Sequence, residues 1–204
     1  IINDKGKFAL HQLPSGVFFE HVTNIIGNGV ALNVPLFIKE LEDLKSRGVK
    51  PRVLVSERTQ ITMPYHVLFD QYEEERLQGK QFGSTKSGIA PFYSDKYAKN
   101  GIPVCELFYP ERLRDRLETV LEIKNTILEH LYHKPKLNVD EIFNQLMEYR
   151  EMIKPYVCNT FDYLYDAVAQ NKKILLEGQL GSLKDPDFGI YAFTTSSHTL
   201  GGFG

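Results

Sequence analysis

Two segments of this chain carry groups that could surround a phosphate and little that could fill a core. One is Gly83-Ser84-Thr85-Lys86-Ser87-Gly88. The other is Thr194-Thr195-Ser196-Ser197-His198-Thr199 with Gly201-Gly202 behind it, reached through Glu177-Gly178-Gln179-Leu180-Gly181 and Asp185-Pro186-Asp187-Phe188-Gly189-Ile190-Tyr191. Glycine lets the main chain come close to a ligand. Consecutive Ser and Thr add hydroxyls and main-chain N–H groups that can wrap an anion. The first segment sets a lysine between two glycines, yet it is not a Walker A loop, which ends in Gly-Lys-Ser/Thr, because Gly88 is followed by Ile89. A plain Gly/Ser-rich surface loop has the same composition, so neither segment identifies a ligand by itself.

The elements that must position these loops are legible from periodicity and punctuation. Ile1-Ile2, the turn Asn3 to Gly6 and Lys7 to Gln12 suggest a hairpin closed by Leu13-Pro14-Ser15-Gly16. Asn24-Ile25-Ile26, the turn Gly27-Asn28-Gly29 and Val30-Ala31-Leu32 look like strand, glycine turn, strand. Asn33 then caps a helix with Pro35 in its first turn, Leu36, Phe37, Leu41 and Leu44 at helical spacing, and Gly48 at its end. Arg52 to Ser56 reads as a short buried strand and Pro64 to Leu77 as a helix. From Gln78 to Gly101 the pattern breaks, with a turn or two of helix expected over Tyr93 to Lys99. Pro110 opens the longest helical stripe, ending near His133-Lys134-Pro135. His130 and His133 share a face there, but no third metal ligand is near in sequence, and cations suit the last turn of a helix. Asn138 and Asn159 precede two further helices. Ile174-Leu175-Leu176 reads as a buried strand. Strands separated by helices indicate an α/β sheet, with an inserted helical region near residues 105–171.

Composition narrows the class. With 204 residues and 42% hydrophobic content the chain can bury a large core, and a formal charge of −2 argues against a generally basic nucleic-acid binder. Cys105 and Cys158 fit buried thiols in a reducing compartment, not a disulfide framework. No apolar run reaches the roughly 18 residues of a spanning helix, so the expectation is a cytoplasmic protein that contacts no membrane. The chain starts at Ile1 without a methionine and ends in Gly201-Gly202-Phe203-Gly204, which reads as a piece of a longer protein.

The ordered set Leu13-Pro14-Ser15-Gly16, Ile25 to Val30, Pro64-Tyr65-His66, Gly83-Ser84-Thr85 with Gly88-Ile89-Ala90-Pro91, Asp95-Lys96 to Gly101, Glu177-Gly178, Gly189-Ile190-Tyr191 and Thr195-Ser196-Ser197 resembles the adenylosuccinate synthetase family nearly end to end. The resemblance implies a central, largely parallel sheet flanked by helices, related to P-loop NTPase folds, with residues 1–204 as one domain, the central part of the family's fold. It implies a GTP-dependent ligation of L-aspartate to IMP: the 6-oxygen of IMP is phosphorylated, then displaced by aspartate. Mg²⁺ and positioned donors would hold the developing charge, with the metal ligands outside this chain. Thr85 and Thr195 would contact the 5′-phosphate of IMP. Lys99 stands where the family donates an arginine to this phosphate across a homodimer interface; it keeps the charge but not the planar fork.

Other positions depart from the family. Its basic residue in the first loop is matched by Ser87, next to Lys86. Where it has Ala-Gln-Gly, this chain has Gln179-Leu180-Gly181, so either Gln179 has taken over the contact at the reacting base or that contact is lost. These departures leave open a ligase of the same family that prefers another purine monophosphate, such as a guanine nucleotide. None of His11, His21, His66 or His198 matches the motif of the family's catalytic histidine. That histidine and the catalytic aspartate are expected upstream of Ile1, so the chain alone would be a non-catalytic nucleotide-binding or dimerisation module.

Overall fold

A computed structural model describes residues 1–79 and 83–203; residues 80–82 of the glycine-rich break and Gly204 of the terminal tail lie outside the described residues. In chain order the strands are β1 (Ile2–Asn3), β2 (Gly6–Lys7), β3 (Thr23–Ile26), β4 (Ala31–Leu32), β5 (Arg52–Ser56), β6 (Gln60–Ile61) and β7 (Val157–Cys158). The helices are α1 (Val34–Ser46), α2 (Pro64–Arg76), α3 (Ile89–Tyr97), α4 (Pro110–Ile127), α5 (Val139–Ile153) and α6 (Thr160–Ala169). Strands β3, β5 and β7 form a parallel sheet in that spatial order, and β4 pairs in parallel with β6.

The α/β reading holds, and its helices form for the reasons legible in the sequence. The Asn33 side chain accepts a hydrogen bond from the Leu36 N–H at 3.1 Å, Pro35 occupies the first turn of α1, and Val34, Phe37, Leu41 and Leu44 line its buried face. Past its end, Gly48 takes φ +75, which a side chain would resist. Asn138 and Asn159 cap α5 and α6 in the same way. Leu113, Leu117, Val120 and Leu121 of α4 and Ile142, Leu146, Tyr149 and Ile153 of α5 join one core with the inner faces of α1 and the sheet. Each such fully buried side chain contributes about 1.5–3 kcal/mol.

Several expectations need correction. Ile174-Leu175-Leu176 has no regular structure and pairs with no strand among the described residues, and Leu175 is 86% exposed. An apolar run becomes a strand only where a neighbouring edge accepts it, and here none does. The region 105–171 is not wholly helical, because β7 lies in it and pairs with β5. Two half-buried residues carry no periodicity, so the sequence could not announce them. Strands β3 and β4 flank the glycine turn without pairing with each other. The first hairpin stops at Lys7, and Glu40 of α1 takes the N–H groups of His11, Gln12 and Leu13 at 2.7–3.0 Å.

Three helices meet at a buried ionic set. The Asp95 carboxylate of α3 accepts from the Lys124 ammonium of α4 at 2.5 Å and from His66 Nε2 of α2 at 2.8 Å. The Met63 N–H donates to His66 Nδ1, which fixes the tautomer and makes the return half of a capping box. Burial holds the His66 imidazole below its ordinary value, more than Asp95 raises it, so the ring is neutral at pH 7. Burial alone would push the Asp95 carboxyl up, but His66 and Lys124 outweigh it and hold it below the usual range.

Removing one member of such a set leaves a charge without its partner. Lys124→Met should cost about 3–5 kcal/mol, read as a shift of the urea midpoint without a change of slope. A loss under 1 kcal/mol would mean that the three helices are held by apolar packing alone.

Candidate functional site

The segment Gly83–Gly88 is fastened to α2 by two carboxylates. Asp70 accepts the Ser84 hydroxyl at 2.6 Å and the Gly88 N–H at 2.8 Å, and Glu74 accepts the Ser84 N–H at 3.3 Å. Gly88 must be glycine twice over: its φ is +82, and a Cβ there would lie 2.9 Å from the His66 carbonyl carbon and the Val67 nitrogen. Thr85, Lys86 and Ser87 are left exposed, with the Thr85 and Ser87 hydroxyls 2.6 Å apart. They sit at the N-terminus of α3, whose first N–H groups have no side-chain cap. Exposed hydroxyls beside uncapped N–H groups form a ready anion-binding arrangement.

The second segment is organised by Asp185. One oxygen of its buried carboxylate accepts the N–H groups of Asp187 (3.0 Å) and Phe188 (3.3 Å), and the other accepts the N–H of Thr199 (2.9 Å). Burial alone would raise this carboxyl, but the three N–H donors and nearby His198 outweigh it and hold it below the usual range. Thr199 Oγ1 donates to the Gly181 carbonyl at 3.0 Å, so residues 181–199 form a closed loop. Glu177 ties the start of the loop to the first motif, accepting the Ser15 hydroxyl at 2.6 Å and its N–H at 3.1 Å. Within the loop, Gln179 Nε2 donates to Ser197 Oγ at 2.9 Å, and the Thr195 hydroxyl lies 3.4 Å from the same atom. Leu180 to Lys184 line an open depression beside it.

Helix α3, opened by the first loop, packs onto the Gly27–Gly29 turn. Its Tyr93 hydroxyl donates to the Gly29 carbonyl at 2.6 Å. Lys96 donates to the Asn28 carbonyl at 2.8 Å. The structure therefore gathers Gln179 and Thr195 at Ser197 and sets Thr85 on the loop that opens the same helix. Lys99 follows the other end of α3, about 13 Å of helix away, exposed and at φ +65.

Sequence reasoning passed over Asp70, Tyr93 and Asp185. Asp185 carried a usable signal, since Asp-Pro-Asp suits a turn in which the side chain accepts from the N–H two residues on. Asp70, four residues after His66 on a helix, carried none. Among the described residues His130 and His133 join no group with metal-ligand spacing; His130 is solvent-facing, 3.7 Å from Glu129. Among the described residues the group with metal-ligand spacing is Asp185, Asp187 and His198. It does not fit Mg²⁺, which takes oxygen ligands and several waters: one partner is an imidazole, and the Asp185 oxygens are already engaged by backbone donors.

Comparison with known proteins accounts for this combination of loops. The sequence profile of adenylosuccinate synthetase matches residues 1–203. The chain belongs to the adenylosuccinate synthetase family. It is 45% identical over 201 residues to the adenylosuccinate synthetase of Dehalococcoides mccartyi, covering 98% of this chain and 48% of that protein. To the one from Caldicellulosiruptor bescii it is 42% identical, covering 96% and 46%. The solved structure of fully ligated adenylosuccinate synthetase from Plasmodium falciparum superposes with a TM-score of 0.80 at 30% identity, over 96% of this chain and 46% of that one. The chain thus spans about half the length of the family members it matches.

Two predictions follow from how the loops are fastened. Gly88→Ala should cost at least about 1–2 kcal/mol from its left-handed backbone alone, with a further loss from the contact against α2, measurable by chemical unfolding. Asp185→Asn should speed amide exchange at Asp187 and Thr199 by roughly tenfold or more. Because the folded carboxyl lies below its ordinary value, its stabilisation is complete above about pH 4 and is lost as pH falls through the lower folded value. Loop 181–199 should therefore stay protected at neutral and mildly acid pH and loosen only in stronger acid; loosening near pH 6 would contradict the assignment.

Proposed function

We propose that this chain is the part of an adenylosuccinate synthetase that holds the 5′-phosphate of IMP, in an enzyme that couples GTP to the ligation of L-aspartate with IMP. The observation that carries the reading is the pair of Gly- and hydroxyl-rich loops, each organised by a buried carboxylate, the first of them opening α3. Thr85 and Ser87 from one loop and Thr195 from the other offer hydroxyls to a dianionic phosphate, and the N-terminus of α3 adds N–H donors and the positive end of its dipole. Lys99, exposed at the far end of α3, serves the phosphate site of a second copy in a homodimer. Gln179 is placed at Ser197 to face the nucleotide beyond its phosphate.

Residues 1–204 act as one domain, the central part of the family's fold, in a cytoplasmic enzyme. No residue of this chain is assigned the family's catalytic aspartate or histidine, and His66 is committed to Asp95. Mg²⁺ belongs to the reaction by family membership; bound with GTP, it would neutralise charge on the transferred phosphoryl group. What these residues contribute is binding and orientation, which set how long IMP stays aligned for phosphorylation of its 6-oxygen.

One observation favours a related substrate. Gln179 spends an amide donor on Ser197, and the next residue, Leu180, is exposed at φ +65, so no second amide stands beside it. Competition between IMP and a guanine monophosphate in the full-length enzyme decides between the two nucleotides.

The central test is calorimetric titration of IMP into full-length Thr85→Ala and Thr195→Ala beside the parent. Hydrogen bonds to a charged acceptor are worth about 1.5–3 kcal/mol each, so each variant should bind IMP more weakly by about one to two powers of ten with normal thermal unfolding. Unchanged affinity in both variants would sink the phosphate assignment. Failure of the parent to form adenylosuccinate from IMP, GTP and aspartate would sink the reaction.

A further inference from the structure

The turn that carries Lys99 is fastened more heavily than its exposure requires. Lys99 is a non-glycine residue at φ +65, a conformation that costs on the order of 1 kcal/mol and persists where its surroundings over-determine it. Behind it, the Asp95 carbonyl accepts the N–H groups of Asn100 (2.8 Å) and Gly101 (3.2 Å). From the side of β6, Gln60 closes on Gly101 so tightly that a Cβ there would lie 2.0 Å from its Oε1. From α4, Arg116 Nη2 donates to the carbonyls of both Lys99 (3.2 Å) and Gly101 (2.8 Å). The guanidinium forms no ion pair with a carboxylate among the described residues, where Arg47, Arg76, Arg112, Arg114 and Arg150 each do. Its Nη2 goes to the two carbonyls that bracket the turn, while its Nε is buried without a partner among the described residues.

We infer that Arg116 is a positioning residue for Lys99: it fixes the left-handed turn from which the lysine reaches the phosphate of the partner's site. The inference rests on the reading that Lys99 contacts that phosphate. A lysine on a loose turn must be ordered on binding, and the entropy of ordering weakens affinity. A clamp on the carbonyls on both sides of the turn removes that cost before the ligand arrives. Arg116 touches no substrate, so its effect travels through Lys99 and vanishes when Lys99 is gone.

The test is steady-state kinetics of the full-length enzyme with IMP varied, for Lys99→Ala, Arg116→Gln and the double variant. Lys99→Ala should raise KM for IMP about tenfold, with kcat within about twofold of the parent. Arg116→Gln should raise KM several-fold with the same split, and the double variant should be no worse than Lys99→Ala alone. If Lys99→Ala raises KM and Arg116→Gln does not, the phosphate reading stands and the positioning role falls. If Arg116→Gln raises KM equally with lysine or alanine at 99, Arg116 acts on its own and the inference is overturned. If Lys99→Ala leaves KM unchanged, the phosphate reading fails and takes the inference with it. Should Arg116→Gln fail to fold, Arg116→Lys retains the charge and one donor: a KM between those of the parent and Lys99→Ala supports the role, and a parental KM refutes it.

Discussion

The structure turns on one buried carboxylate. Asp95, accepting from His66 and Lys124, joins α2, α3 and α4 at a point buried from solvent. The backbone carbonyl of the same residue receives the N–H groups of Asn100 and Gly101. One position therefore fixes both how α3 sits on its neighbours and how the chain leaves it. The loop at the start of α3 and the turn at its end inherit their places from this set. An apolar contact could bind the helices as strongly, but it would not select a single rotation of α3. Two directional bonds to one carboxylate do.

The same device recurs at smaller scale. Glu40 collects three consecutive N–H groups at His11 to Leu13, Asp70 closes the Ser84–Gly88 loop onto α2, and Asp185 closes the loop from Gly181 to Thr199. Each carboxylate replaces a strand or helix partner for backbone that has none. This explains how long stretches without regular structure can hold a defined form beside the sheet. It also explains why glycine recurs where these stretches touch their supports: Gly178 and Gly189, like Gly88, would drive a Cβ into main-chain atoms at 2.7 and 2.4 Å.

How much of this was legible depended on whether the signal was local. The caps at Asn33, Asn138 and Asn159, the Pro-started helices and the stripes of α1 and α4 are local events, and they folded as read. The two loops were legible as candidates from their hydroxyls and glycines, and Gln179 and Thr195 do share a neighbour. The carboxylate latches were hidden, because Asp70 finds its partners 14 and 18 residues away and Glu177 finds Ser15 162 residues away. Pairing was also hidden. Val157–Cys158 became a strand because β5 had room for it, while the more apolar Ile174–Leu176 did not. Along α6, Phe161, Leu164, Tyr165 and Val168 repeat at the spacing of a buried face and yet stand exposed, so the periodicity records a covered face that none of the described residues covers.

Electrostatics explains why the loops are latched at all. The chain carries a formal charge of −2, and the carboxylates nearest the two loops would repel a dianion if their charge faced it. Instead Asp70 and Asp185 turn their oxygens to N–H and O–H donors of their own loops, leaving hydroxyls at Thr85, Ser87 and Thr195 and a lysine at 86 for an anion, although the Asp187 carboxylate stays exposed. Attraction through hydroxyls and N–H groups is short in range and depends on angle, unlike the pull of a cluster of cations, which tolerates disorder and fades with salt. A site of the first kind has to be held in shape before its ligand arrives. Hence buried carboxylates are set into loops whose role favours anions: their charge is consumed in ordering the donors, and Lys99 is kept at the opposite end of the helix.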